Sequence, residues 1–260
     1  MTCSLVITTY NWKEALELVL KSSVTQSELP DEIIVADDGS KEDTKELIKE
    51  FAKTSPVPVI HSWQEDDGFR AAASRNRAIS KSMSEYIILI DGDMILHHDF
   101  IKDHKKNALK NYFIQGGRVL LTEQKTNRIL DNKQITFSFF EEGLLNRKNT
   151  IYCNFLSKLF SNKKDTLKGI RTCNISFFKE DCFKINGFNE DFIGWGREDS
   201  EFVVRMLNSG IHRQTVKFNC LSFHIWHNEN KRDSLPKNDQ LLNTAMKNNS
   251  QWCENGINKY

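Results

Sequence analysis

The chain has 260 residues, enough for one large domain or two small ones, and at this length it buries roughly 70–75% of the surface its unfolded form exposes, so folding needs neither disulfides nor a structural metal. Hydrophobic residues at 39%, charged residues at 27% and only 4 prolines exclude collagen-like, mucin-like and wholly disordered classes. Lys and Arg number 36 against 35 Asp and Glu, and a net charge of +1 leaves no general footprint for nucleic acid, which is not an expected partner.

In chain order, an apolar β-prone run at 3–8 predicts a strand, and Leu16, Val19 and Leu20 at helical spacing predict a helix over 13–21. A second strand over 32–36 runs into the turn Asp37-Asp38-Gly39-Ser40, where Ser40 is placed to cap the helix that carries Leu47, Ile48 and Phe51. A third strand is expected at 57–61, a helix at 71–83 and a fourth strand at 86–90. Strands alternating with helices predict βαβ units and a parallel sheet whose ligand sits beyond the carboxyl ends of the strands. The polar stretch 125–168, with Phe137, Phe139 and Phe140, is expected to be a partly ordered excursion able to form a lid. Further on, a strand is expected at 174–178, one helical turn at 180–185, a helix at 200–207 closed by Gly210, a strand at 216–223, and an amphipathic helix around Leu241, Leu242, Ala245 and Met246. No apolar run approaches the ~20 residues of a membrane span. No basic segment precedes Leu5-Val6-Ile7, so the chain is expected to be cytoplasmic, with its six cysteines as reduced thiols.

Four constellations carry candidate chemistry. In Asp91-Gly92-Asp93, residues two apart on an extended chain point the same way, so two carboxylates face one site and suit a hard cation such as Mn²⁺ or Mg²⁺; the same tripeptide also reads as an acidic turn. In Gly194-Trp195-Gly196-Arg197-Glu198-Asp199, two glycines let Trp195 approach a ligand as a platform for a sugar face, before two carboxylates that open a helix. Acidic first turns are ordinary helix chemistry, and the helix dipole lowers a carboxyl pKa whereas burial raises it. His224-Ile225-Trp226-His227 offers two imidazoles to Mn²⁺, or plain packing; no further His/Cys cluster completes a zinc set. Arg70 and Arg75 lie near a loop-to-helix boundary of the kind that suits phosphate. His97-His98 has no partner pattern.

Together with the opening Val6-Ile7-Thr8-Thr9-Tyr10-Asn11 and with Val35-Ala36-Asp37-Asp38-Gly39-Ser40, these motifs resemble the family 2 glycosyltransferases of the GT-A fold, and residues 187–201 resemble the C-terminal motif of β-1,4-galactosyltransferases and bacterial chondroitin polymerase. The resemblance implies a Rossmann-like, mostly parallel central sheet flanked by helices. It also implies one catalytic domain over 1–230, with a nucleotide-sugar half at 1–120 and an acceptor and metal half at 169–230, followed by a polar helical tail over 231–260. Carried over, Asp38 would contact uracil, Thr9 the nucleotide, Arg70 and Arg75 the nucleotide or diphosphate, and Asp91 would lie near the ribose. Asp93 would bind the metal with His227, and His224 stands where the galactosyltransferases have Met, as a further ligand. Asp199 matches the general base, Glu198 an acceptor contact and Trp195 the sugar platform. Arg197 replaces a Gly of the galactosyltransferase pattern, so their acceptor is not inherited.

The expected activity is metal-dependent, inverting transfer of a hexose or N-acetylhexosamine from a UDP-sugar to a hydroxyl of a glycan or glycolipid in bacterial surface polysaccharide or lipo-oligosaccharide synthesis, with peripheral contact at the cytoplasmic membrane face. The rival readings are a nucleotidyltransferase, which lacks a Gly-rich triphosphate loop here, and a catalytically inactive glycan-binding relative.

Overall fold

The apolar runs at 3–9, 32–37 and 86–91 become strands buried on both faces, and the run at 59–63 a half-buried edge strand. The computed structural model describes residues 1–228 and 232–260; the expected boundary at 230/231 lies outside the described residues. In chain order the elements are β1 (Cys3–Thr9), α1 (Lys13–Ser23), β2 (Glu32–Asp37), α2 (Glu42–Thr54), β3 (Val59–Trp63), α3 (Ala71–Lys81), β4 (Tyr86–Asp91), β5 (Met94–Leu96), α4 (Phe100–Asn107), β6 (Tyr112–Gln115), β7 (Val119–Leu120), α5 (Glu123–Asn132), α6 (Asn154–Phe160), β8 (Asn162–Lys163), β9 (Asn174–Phe178), α7 (Lys179–Lys184), α8 (Glu198–Asn208), β10 (His212–Thr215), β11 (Ser222–His224) and α9 (Leu235–Lys247).

Eight strands form the main sheet in the order β3-β2-β1-β4-β9-β6-β10-β8. β3, β2, β1 and β4 are parallel, β9 runs against both β4 and β6, and β10 returns parallel to β6. This is the mostly parallel, helix-flanked layout expected. Because side chains alternate across a strand, Val6, Ile34 and Leu89 pack on one face with Ala72, Phe177 and Phe202, while Leu5, Ile33 and Ile88 pack on the other with Leu16, Val19 and Phe100.

A second, three-stranded sheet, β5-β11-β7, stands beyond the main one. It rests on a third apolar cluster that includes Ile95, Val119, Leu121, Ile129, Leu144, Phe223 and Ile225. Three expectations are corrected here. The stretch 125–168 is no loosely ordered excursion: α5 is capped by the Thr122 hydroxyl, and Phe137 packs on Phe223 with ring centroids 4.4 Å apart. Of the strand expected at 216–223 only its last two residues lie in a strand, β11; before it, left-handed backbone at Phe218 (φ 61°) and Cys220 (φ 53°) keeps the chain irregular, and Asp103 Oδ2 accepts the Cys220 N–H. Ser40 does not cap α2; its hydroxyl accepts the Asn11 N–H instead.

Toward the C-terminus, α9 lays Leu242 and Ala245 against Val204 of α8, and Ile257 is buried in the same cluster as Phe188. All six cysteines are free thiols. Among the described residues no helix is long and apolar enough to cross a membrane.

Candidate active site

The carboxyl ends of β1, β2 and β4 open onto one cavity of about 840 Å³. At its floor the chain passes from Asp91 to Asp93 through Gly92, whose N–H donates to Thr8 O at 2.7 Å; a Cβ on Gly92 would meet that oxygen at 2.9 Å. Glycine is what lets the acidic turn fold back over β1.

From that turn the chain enters β5, and β11 pairs with it antiparallel so that His224 stands opposite Met94. Ile225 N–H then donates to Asp93 O at 2.9 Å. This pairing brings residues 131 positions apart together: one ligand atom from each of Asp93, His224 and His227 lies within 4.8 Å of the others. Asp93 Oδ2 is 3.2 Å from His227 Nε2 and 3.5 Å from His224 Nε2. Asp93 Oδ1 is buried with no hydrogen-bond partner, a free acceptor aimed at nothing in the protein. His227 Nδ1 lies 2.7 Å from Asn228 O and Nε2 faces Asp93 Oδ2; carbonyl and carboxylate only accept, so both nitrogens carry protons here, and a cation replacing the Nε2 proton would leave Nδ1–H on the carbonyl. Two imidazoles, a carboxylate with an unused oxygen and a carbonyl orienting one ring fit a divalent cation.

The electrostatics of this trio are polarised. Burial works to raise the Asp93 carboxyl, but the His227 hydrogen bond and both imidazoles hold it below the usual range. His227 is raised to about 9, chiefly by that hydrogen bond, and burial lowers His224 to about 4.

The opposite wall is the N-terminus of α8. Gly196 (φ 106°) and Arg197 (φ 77°) turn the chain left-handed just before the helix, which explains why glycine suits position 197. Arg197 lines the cavity and its guanidinium bonds Asp239 of α9 at 2.6 Å. Glu198 is buried, with Oε1 on Arg75 and Oε2 unpartnered. Asp199 Oδ1 accepts the Ser200 N–H at 2.6 Å. Burial, and next the charge of Glu198, push Asp199 up to about 7, so desolvation outweighs the helix dipole. Trp195 stands at the rim with the Arg232 guanidinium 5.4 Å from its ring centroid.

Arg75 joins the two walls. Buried in α3, it reaches Asp91 Oδ1 and Glu198 Oε1, each at 3.3 Å. Burial raises the Asp91 carboxyl to about 6, with Arg75 pulling against it. Thr9 and Asp38 line the far end of the cavity. Asp38 accepts the Arg70 backbone N–H at 2.8 Å and Gln64 Nε2 at 2.6 Å, and burial raises it to about 6. Of the residues singled out in the sequence, Arg70 is the one whose side chain is not brought to the cavity: its guanidinium pairs with Asp67. Arg118 and Arg171 do line the cavity and went unnoticed. Gly116-Gly117 ahead of Arg118, a turn signal closing the β6 run, was the available clue. His97 and His98 lie elsewhere, on Tyr152 and the Thr25 carbonyl.

Comparison with known proteins places this geometry. The family described as Glycosyl transferase family 2 matches residues 4–170, and the N-terminal domain of galactosyltransferase matches residues 156–228. Chondroitin synthase of Escherichia coli is 25% identical over 85% of this chain and 34% of its own length, and hyaluronan synthase of Pasteurella multocida 26% identical over 82% and 23%. The chain therefore spans about a third or less of these relatives. The solved structure of S. aureus TarS 1–349 superposes with a TM-score of 0.61 at 15% identity, over 94% of this chain and 65% of that one, and supports the GT-A fold alone.

Proposed function

This chain belongs to glycosyltransferase family 2, and on that premise we propose that it transfers a hexose or N-acetylhexosamine, with inversion, from a UDP-sugar to a hydroxyl of a glycan or glycolipid in bacterial surface polysaccharide synthesis. It would do so as a peripheral protein of the cytoplasmic membrane face. The observation that carries the reading is the meeting, across Arg75, of a cation-binding trio and a carboxyl poised near neutrality in one cavity.

Asp93, His224 and His227 would hold Mn²⁺ or Mg²⁺. When bound, the ion supplies positive charge against the diphosphate leaving group. The chain's own residues do the rest. Thr9 and Asp38 line the end of the cavity reserved for the nucleoside, and the raised pKa of Asp38 suits an acid–amide pair with a base edge. Trp195 offers an aromatic face to the acceptor sugar, beside Glu198. Asp199 takes the proton from the acceptor hydroxyl as that oxygen attacks the anomeric carbon from the side opposite the leaving group. A base with a pKa of about 7 is matched to that work at physiological pH. Arg75 bonds both Glu198 and Asp91 and fixes their positions while Asp199 changes protonation state. Walls formed by the residues around Leu120, Leu145 and Ile170 limit water, which would otherwise hydrolyse the donor.

Thermal unfolding with a panel of UDP-sugars and Mn²⁺ tests the reading. A donor held at a hundred times its Kd stabilises by about 2.7 kcal/mol. A shift with UDP-sugars that vanishes under chelation is expected; no shift with any UDP-sugar would sink the donor assignment.

A further inference from the structure

We propose that α6 and the basic residues around it form a docking surface for an anionic lipid bilayer. The proposal rests on the reading of the chain as a peripheral membrane protein and names the surface that makes the contact.

α6 buries only Ser157. Phe155, Leu159 and Phe160 are 69%, 61% and 54% exposed. Phe155 and Leu159 are four residues apart and stand one above the other on the outer face. Single exposed apolar residues are ordinary, but three on one short helix make a patch that marks a contact surface. The helix is held in this pose: Cys153 N–H donates to Phe218 O, the Phe160 ring lies 5.7 Å from that of Phe218, and Lys217 N–H donates to Ser161 Oγ.

The charge around it is one-sided. Residues 143–164 carry five cations (Arg147, Lys148, Lys158, Lys163 and Lys164) and no carboxylate, in a chain whose net charge is only +1. Lys106 joins them by reaching Asn154 Oδ1, and Lys217 adjoins Phe218. The next carboxylate, Asp165, is taken up by His212 and the Arg213 N–H. A second copy of the chain docked face to face would set these cations against themselves. Anionic headgroups complement them, while aromatic and Leu side chains enter the interface. The segment leading into α6 adjoins the cavity: Leu145 lines it, and Asn146 and Asn149 donate to the carbonyl of Arg118, which lines it too. A bilayer held there brings a lipid-linked acceptor to the cavity mouth.

The test is co-sedimentation of the full chain with vesicles of phosphatidylcholine alone and of phosphatidylcholine with phosphatidylglycerol. Wild type should partition onto the anionic vesicles at least tenfold more strongly. Phe155→Ser with Leu159→Ser should lower that partition at least tenfold, and Lys158→Glu with Lys164→Glu should erase the lipid preference, both at an unchanged melting temperature. Wild-type binding that neither variant weakens would place the membrane contact elsewhere and overturn this surface, leaving the peripheral reading intact. No binding by wild type to either vesicle would overturn both. A wild-type dimer in solution that Phe155→Ser with Leu159→Ser converts to monomer would give the patch to a second copy and overturn the lipid assignment.

Discussion

Asp93 and Asp199 are the same side chain in two settings on opposite walls of one cavity. Asp93 faces two imidazoles and is held below the usual carboxylate range; Asp199 is desolvated beside Glu198 and sits near 7. Both are removed from bulk water, so burial alone does not distinguish them. What differs is the sign of the nearest charge. One carboxyl is held anionic, the other near its titration at neutral pH, and Arg75 between them is bonded to the chain neighbour of each, Asp91 and Glu198.

The largest effect should come from emptying the anionic wall. Asp93→Ala should lower turnover by roughly 10³-fold or more while leaving the fold intact, since its loss removes the trio's only carboxylate. Metal-dependent UDP binding, read by calorimetry, should disappear; undiminished turnover in a folded variant would remove Asp93 from the centre.

Asp199→Asn should keep donor affinity and lose about 10²–10⁴-fold in transfer. In wild type the rate should fall as pH drops below about 7, because the base is then protonated. Stability moves the opposite way. A carboxyl raised above its unfolded value favours the fold while protonated, and that contribution is lost as pH rises through about 7. The Asn variant, which never ionises, should therefore be the more stable protein at pH 8. The advantage is about 1–3 kcal/mol, allowing for partial access to solvent. It should widen from pH 4 to 7 and flatten above 8 in melting curves. A flat difference across that range would show that Asp199 has an ordinary pKa.

Arg75→Met should break the link itself. Stranding Glu198 as a buried unpaired charge, with half-buried Asp91 beside it, should cost about 3 kcal/mol of stability. Double substitution with Glu198→Gln should recover part of this; strict additivity of the two changes in denaturant melts would show that the pair is not coupled.

Arg197→Gly should be the mildest change. It relieves left-handed backbone at φ 77° but gives up an exposed ion pair with Asp239, so stability should move by less than about 1 kcal/mol. Any effect should appear in the choice of acceptor, measured as kcat/KM across an acceptor panel, and not in donor binding.

The first half of the chain was legible because β1, β2 and β4 are continuous apolar runs separated by amphipathic helices, a pattern set locally. The second half is shaped by distant partners. Val216, Cys220, Leu221 and Phe223 are buried and imitate one strand, yet Asp103 seizes the Cys220 N–H from far along the chain and breaks it. The stretch after Lys125 looked loose because few of its residues are apolar, but Ile129 and Leu144 suffice to seal it onto Phe223. In the site, Asp93 could be singled out from its turn, and Asp199 from the helix start. That His224 and His227 join Asp93 depends on β5–β11 pairing, which no local pattern announces. The partner of Arg70 is hidden for a related reason: Asp67, three residues earlier, takes its guanidinium, and the spacing does not announce that choice.

The three-residue pairing of β5 with β11 fixes where the chain can and cannot change length. Strand side chains alternate with a period of two, so one residue inserted within Met94–Leu96 or within Ser222–His224 would turn His224 away from Asp93. The exposed turn around Phe139 and Phe140 carries no such register, and added residues there would leave the spacing of the trio untouched. For anyone splicing a reporter, a linker or a second module into this chain, the address of the Asp93–His224–His227 trio is therefore a strand register, indifferent to how much sequence separates Asp93 from His224.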